Sequence, residues 1–223
     1  MAHMESTWTE VDAYFAERLA PNDAALEAAL AESESAGLPP ISVTSTQGKF
    51  LQLLVRIRNA RRILEIGTLG GYSTIWMARA LPPGGTIVTL EIDPKHAEVA
   101  KRNIERAGQR SVVQIRVAPA AESLAQMKQE GVAPFDFVFI DADKASTAQY
   151  YDASLELSRP GTLIVIDNVA REGKVIDADS DDESIRGIRR GVDRITNDPR
   201  VSATAIQTVS SKGYDGFILA VVL

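Results

Sequence analysis

The sequence predicts an α/β fold built on one doubly wound, mainly parallel sheet, entered through N-terminal helices. Three observations carry that prediction. Short apolar runs (RILEI, TIVTLEI, FDFVFI, TLIVI) alternate with segments of three- and four-residue apolar spacing, the signature of repeated βαβ units. The runs are almost continuously apolar, as strands covered by helices on both faces must be. Glycine or an acidic residue stands at the end of several of them, where an open α/β sheet binds its ligands.

Taken in order, residues 8–36 read as helical, with Asn22 and Asp23 as caps and Gly37 as a stop. Residues 38–48, LPPISVTSTQG, form a connection, and 49–60 a further amphipathic helix. From Arg61 the period changes. Strands are expected at 61–67, 85–93, 111–119, 135–143 and 161–169, with helices at 72–81, 94–108, 120–131 and 145–158 between them. Pro82 and Gly84 close the first of these helices, while Pro94 opens and Gly108 ends the second. A polar, acidic stretch follows at 171–184, then a helix over 185–198 and two strands within 201–223 joined by a glycine-bearing turn. No repeat and no linker divides the chain. Residues 1–223 are expected to form one domain, with helices and a connection in 1–60 and the α/β core in 61–223.

Composition narrows the chemistry. The 223 residues are 45% hydrophobic and 24% charged, enough for one substantial core. A formal charge of −6 gives no global attraction for phosphate backbones, so no nucleic-acid partner is expected. The absence of cysteine rules out disulfides, thiolate metal sites and thiol nucleophiles. The two histidines are His3, in the tag-like MAHM, and His96, so neither a histidine cluster nor a catalytic triad has enough material. No run approaches the roughly 18 apolar residues of a membrane span, and no secretory signal opens the chain, so a cytoplasmic protein without membrane contact is expected.

Five strand ends hold the candidate chemistry. LEIGTLGGYST, at 64–74, is either a plain tight turn or a turn that brings backbone close to a ligand. Thr68 and Leu69 break the spacing of the dinucleotide fingerprint, and Glu65 before Gly67 suits a cationic ligand better than a pyrophosphate. Glu91 ends the next strand at a spacing that suits an acid accepting ribose hydroxyls. Ala118, Pro119 and Ala120 are either an apolar bed for an adenine or simply a helix start. Asp141, Asp167 and Asn168 end two strands expected to be neighbours. They are either exposed loop residues or hard oxygen ligands for magnesium, calcium or manganese.

EIGTLGGYS, DADK and IDN in this order, with VTSTQGKFLQLL, LEID and the closing DGFILAV, resemble the cation-dependent O-methyltransferases, the group of catechol and caffeoyl-coenzyme A methyltransferases. The resemblance covers about residues 38–222. It implies a Rossmann-like, seven-stranded sheet whose last strand is antiparallel, in agreement with the C-terminal hairpin. It also implies S-adenosylmethionine (SAM) and a divalent metal, Mg²⁺ or else Ca²⁺ or Mn²⁺, as cofactors, a small catechol-like aromatic with vicinal hydroxyls as acceptor, and a homodimer. On the matching positions, Val43, Glu65, Gly67, Thr68, Ser73, Glu91, Ala120 and Asp141 fall at the SAM site, and Asp141, Asp167 and Asn168 at the metal. Lys144 matches the lysine regarded in that family as the base for the acceptor hydroxyl, which makes Lys144 and Asp141 the catalytic candidates, with Asp143 beside the acceptor. Residues 171–184 fall where the family varies in acceptor choice.

That chemistry is coherent. A phenol with a pKa near 10 is scarcely ionised at neutral pH, and coordination to a dication lowers it. Two rivals remain: a NAD(P)-dependent oxidoreductase on a related sheet, which calls for the glycine fingerprint that is missing, and a SAM-binding protein without turnover, which has no use for Lys144 and the two aspartates.

Overall fold

The computed structural model describes the backbone of residues 2–223 and the side chains from Ser6 onward. The tag-like reading of MAHM, His3 included, falls outside the described side chains. Helices α1 (Ala2–Leu19), α2 (Ala24–Ser35) and α3 (Ser45–Arg58) lead into β1 (Arg62–Ile66). Then come α4 (Tyr72–Ala78), β2 (Thr86–Glu91), α5 (Pro94–Arg106), β3 (Val113–Val117), α6 (Ala120–Gln129) and β4 (Phe135–Ile140). The chain ends with α7 (Thr147–Glu156), β5 (Ser158–Asp167), α8 (Glu183–Thr196), β6 (Val201–Ser210) and β7 (Gly213–Val222). The seven strands form one sheet in the order β3-β2-β1-β4-β5-β7-β6, parallel except for β7, which runs antiparallel to both neighbours.

Strand alternation sorts the core into two layers. Leu64, Ile66, Val138, Ile140, Ile164 and Ile166 face α6, α7 and α8, where Leu124, Met127, Tyr151 and Ile188 meet them. Ile63, Ile87, Phe137, Phe139 and Val165 point the other way, against Leu51, Val55, Ile75 and Ile104 of the remaining helices. The expected sheet is therefore present with its helices on both faces. Its edge strand β6 is exposed over almost its whole length.

Local chemistry explains where boundaries differ from expectation. Asp23 alone caps α2, its carboxylate accepting from Leu26 N, while Asn22 instead accepts the Tyr72 hydroxyl at 2.6 Å. The connection expected over 38–48 gives way to helix at Ser45, because Thr44 caps α3 by accepting from Gln47 N. The helix expected at 72–81 stops at Ala78, and α8 starts at Glu183, capped by Asp182. No helix among the described residues is long and apolar enough to cross a membrane.

At the amino end of the sheet, buried Asp136 accepts from Arg61 N at 2.8 Å and Arg62 N at 3.0 Å, and pairs with the Arg159 guanidinium. Burial opposes the charge, but these donors hold the carboxyl below the usual aspartate range. Asp136→Ala strips three donors of their acceptor and is expected to cost at least about 2 kcal/mol of unfolding free energy. Urea denaturation checks it.

Candidate active site

Strand register places the site. Ile66 pairs with Leu90 and with Ile140, and Ile140 pairs in turn with Ile166. The residues that follow, Glu91, Gly67, Asp141 and Asp167, thus stand in one row along the carboxyl edge. Strand order reverses between β1 and β4, so Gly67 and Asp141 flank the switch point where such sheets open a crevice. Gly67 has φ 99°, and a Cβ there would collide with the carbonyl oxygen of Asp141. Glycine is required by the neighbouring strand before any ligand is considered.

On the β4–β5 side, Asp167 is buried at 4% exposure. Its Oδ1 accepts Asn168 N at 2.8 Å and its Oδ2 accepts Gln47 Nε2 at 2.5 Å. Burial first, and then the charge of Asp141, push its carboxyl up to about 7, against Lys144 and the two donors. Lys144 Nζ donates to Asp141 Oδ1 at 2.9 Å. Asn168 follows Asp167 in a left-handed conformation, φ 57°, that asparagine tolerates. Asp143 accepts from the Tyr150 hydroxyl and from Ser146 N, so it braces the turn that carries Lys144. Behind that turn packs α8, where a Cβ on Gly187 would collide with the carbonyl oxygen of Lys144. Among the described residues no group of three or more Asp, Glu, His or Cys side chains is arranged so that it could hold a metal ion.

On the β1–β2 side the expected residues are also together, with duties of their own. Glu91 is buried, and its two oxygens accept four backbone N–H groups: Thr68 at 3.2 Å, Leu69 at 2.7 Å, and Ile92 and Asp93 at 3.0 Å each. A ribose hydroxyl reaching this carboxylate has to share it with both turns. Glu65 is fully buried and accepts Ser73 Oγ at 2.6 Å, Thr74 Oγ1 at 2.5 Å and Thr89 Oγ1 at 2.7 Å. Thr68 bonds Thr89 and the Leu90 carbonyl, which closes the same cluster. Ser73 and Ala120 keep partial exposure, and Val43 is buried just ahead of α3. A cavity of about 520 Å³ lies elsewhere, between α5 and β3, and none of the expected residues lines it.

Three residues that sequence reasoning passed over touch this region. Gln47 reaches Asp167; the T-x-x-Q spacing of Thr44 and Gln47 marks a helix start and was the available signal. Tyr150 reaches Asp143 from one turn of α7 beyond it. Lys212, in the β6–β7 turn, donates to the Ser42 carbonyl, and nothing local to its sequence announces that.

Glu65 gives a pH signature. Burial raises its carboxyl from 4.5 to about 7 in the folded protein, in spite of the three hydroxyl donors. The folded state then holds a proton that the unfolded chain has released, so this contribution to stability is full below about 4.5 and lost as pH rises through about 7. The unfolding free energy of the parent minus that of Glu65→Gln is expected to fall between those limits, by up to about 3 kcal/mol. Urea melts at pH 5 and pH 7.5 read this directly; a pH-independent difference would contradict it.

Comparison with known proteins agrees with this fold. A family model described as O-methyltransferase matches residues 18–221, and so takes in most of the N-terminal helices as well. A catechol O-methyltransferase of Niastella koreensis is 53% identical over 95% of this chain and 96% of its own length. A second, from Mycobacterium tuberculosis, is 50% identical over 96% and 95%. The crystal structure of an O-methyltransferase from Bacillus cereus, in complex with SAH, superposes with a TM-score of 0.97 at 57% identity and covers 99% of this chain and 100% of that one. With its fold and its matched length in accord, the chain belongs to the O-methyltransferase family of enzymes.

Proposed function

We propose that the protein transfers a methyl group from SAM to one hydroxyl of a small catechol-like aromatic, with a divalent cation held by Asp141, Asp167 and Asn168. One observation carries this reading. Two carboxylates end adjacent strands, and burial first, then the charge of Asp141, push the Asp167 carboxyl up towards its neutral form. A cation between them removes that repulsion, and oxygen donors suit magnesium, calcium or manganese. The catechol O-methyltransferase names of the relatives and the SAH-bound neighbour support the donor and the acceptor class.

When bound, the dication lowers the pKa of an acceptor hydroxyl and the sulfonium donor supplies the methyl group. The chain does the rest by position. Lys144, fixed on its turn by Asp141 and by α8, is placed to take or hold the acceptor's proton at Nζ. Gln47 and Asn168 N hold both oxygens of Asp167 in one orientation. Glu91 fixes the turns at 67–69 and 92–93 between which the nucleoside end of the donor would lie. Transfer from a cationic sulfur to an anionic oxygen cancels charge, so alignment and exclusion of water are the main levers.

Asp167→Ala is expected to abolish transfer from labelled SAM to catechol while SAH still binds by calorimetry, and EDTA is expected to abolish the parent's activity reversibly. Full activity in chelator would remove the metal from this reading. A homodimer is part of the same proposal: α1 exposes Val11, Tyr14, Phe15 and Leu19, and α3 exposes Leu53 and Ile57. Phe15→Glu combined with Ile57→Glu is expected to shift the sedimentation of a dimer to that of a monomer.

A further inference from the structure

The β6–β7 turn is tied to the front of the site by a side chain from the far end of the chain. Asp12 of α1 accepts Thr46 Oγ1 at 2.9 Å through one oxygen, and Ser211 N at 3.1 Å and Ser211 Oγ at 2.9 Å through the other. Thr46 precedes Gln47, the residue bonded to Asp167, and Ser211 precedes Lys212. The clasp thus fixes Lys212 relative to the metal-side carboxylates. Lys212 Nζ donates to the Ser42 carbonyl, beside Val43, and no carboxylate among the described residues pairs with it.

Its surroundings say what this cation is for. Partial desolvation of its ammonium lowers its pKa, while Asp141 and Asp167 act on it in the opposite sense, so it shares their field without bonding either. Lys144 lies in the turn after β4, whereas Lys212 enters from the antiparallel hairpin. Depth separates their roles as well, since Asp167 is buried on the floor and Lys212 stays exposed at the rim. An acceptor whose vicinal hydroxyls point to the floor would turn its remaining ring substituent outward. Asp141, Asp143 and Asp167 repel an anionic substituent on the way in, and the chain as a whole carries −6. A rim ammonium resting on a neutral carbonyl is free to exchange that weak partner for a carboxylate.

We propose that Lys212, held by the Asp12 clasp, is an acceptor-binding residue that selects catechols bearing a carboxylate. This deepens the reading given above and rests on it. The test compares KM and kcat of the full-length protein, with SAM and Mg²⁺, for catechol and for 3,4-dihydroxybenzoate. Lys212→Met is expected to raise KM for dihydroxybenzoate about tenfold, the size of a lost hydrogen bond to a charged group, with kcat and the KM for catechol within about twofold of the parent. Lys212→Arg is expected to keep the preference. Asp12→Asn, which frees the turn without touching the acceptor, is expected to give a smaller loss of the same selectivity. Parallel changes for both acceptors, or none for either, would overturn the inference and leave the methyltransferase reading intact. A parent that methylates neither acceptor would overturn both.

Discussion

Everything at the site depends on the register of the parallel strands. Backbone bonds from Gly67 N to Leu90 O, Asp141 N to Ile66 O and Ala118 N to Glu91 O carry the ladder one residue beyond the strands proper. Those bonds set how far along the sheet each side chain stands. A slip of one residue in β4 would bring Ala142 or Ile140 to the place of Asp141 and turn Phe137 and Phe139 to the wrong layer. Packing therefore enforces the functional geometry: the aromatic residues that fill one core layer are also what hold the carboxylate in its row.

Residues that look like ligand contacts are also structural parts of the turns. Glu91 gathers four N–H groups from two separate turns, which leaves neither turn with orphaned donors at a place where a ligand is to fit. Glu65 binds three hydroxyls from α4 and β2 and so fastens the start of that helix to two strands. A crevice built this way is pre-shaped. Its cost is a buried carboxyl whose ionisation is opposed by its surroundings.

The strand-end row was legible because its residues lie in short, strongly patterned segments. LEIGTLGG, TLEID, FIDADK and LIVIDN each join an apolar run to its functional end, and alternation with helices makes those ends neighbours. What escaped is what depends on distant pairing. Gln47 and Asp167 are 120 positions apart, Asp12 and Ser211 are 199, and Lys212 and Ser42 are 170. No local period encodes such contacts. The hairpin of β6 and β7 was legible, but a strand's own residues do not reveal that it will lie at the edge with a long exposed face.

Charge ties these pieces together. Asp141 has Lys144 within hydrogen-bond distance and Asp167 on the neighbouring strand, so one ammonium faces two carboxylates. That balance leaves the floor net negative, and burial, together with the charge of Asp141, opposes the ionisation of Asp167. A floor of this kind favours cations and disfavours anions, which suits a sulfonium donor and a metal on the proposed reading. For an acceptor that must itself become an anion it is a handicap. Positive charge held close by Lys144, on a turn braced by Asp143 and Tyr150, offsets it at the reacting oxygen, and Lys212, on a hairpin braced by Asp12, does so only at the rim. Lys144 is held by the floor's own Asp141 and by the braced turn, whereas Lys212 owes its place to Asp12, a carboxylate that is not part of the floor.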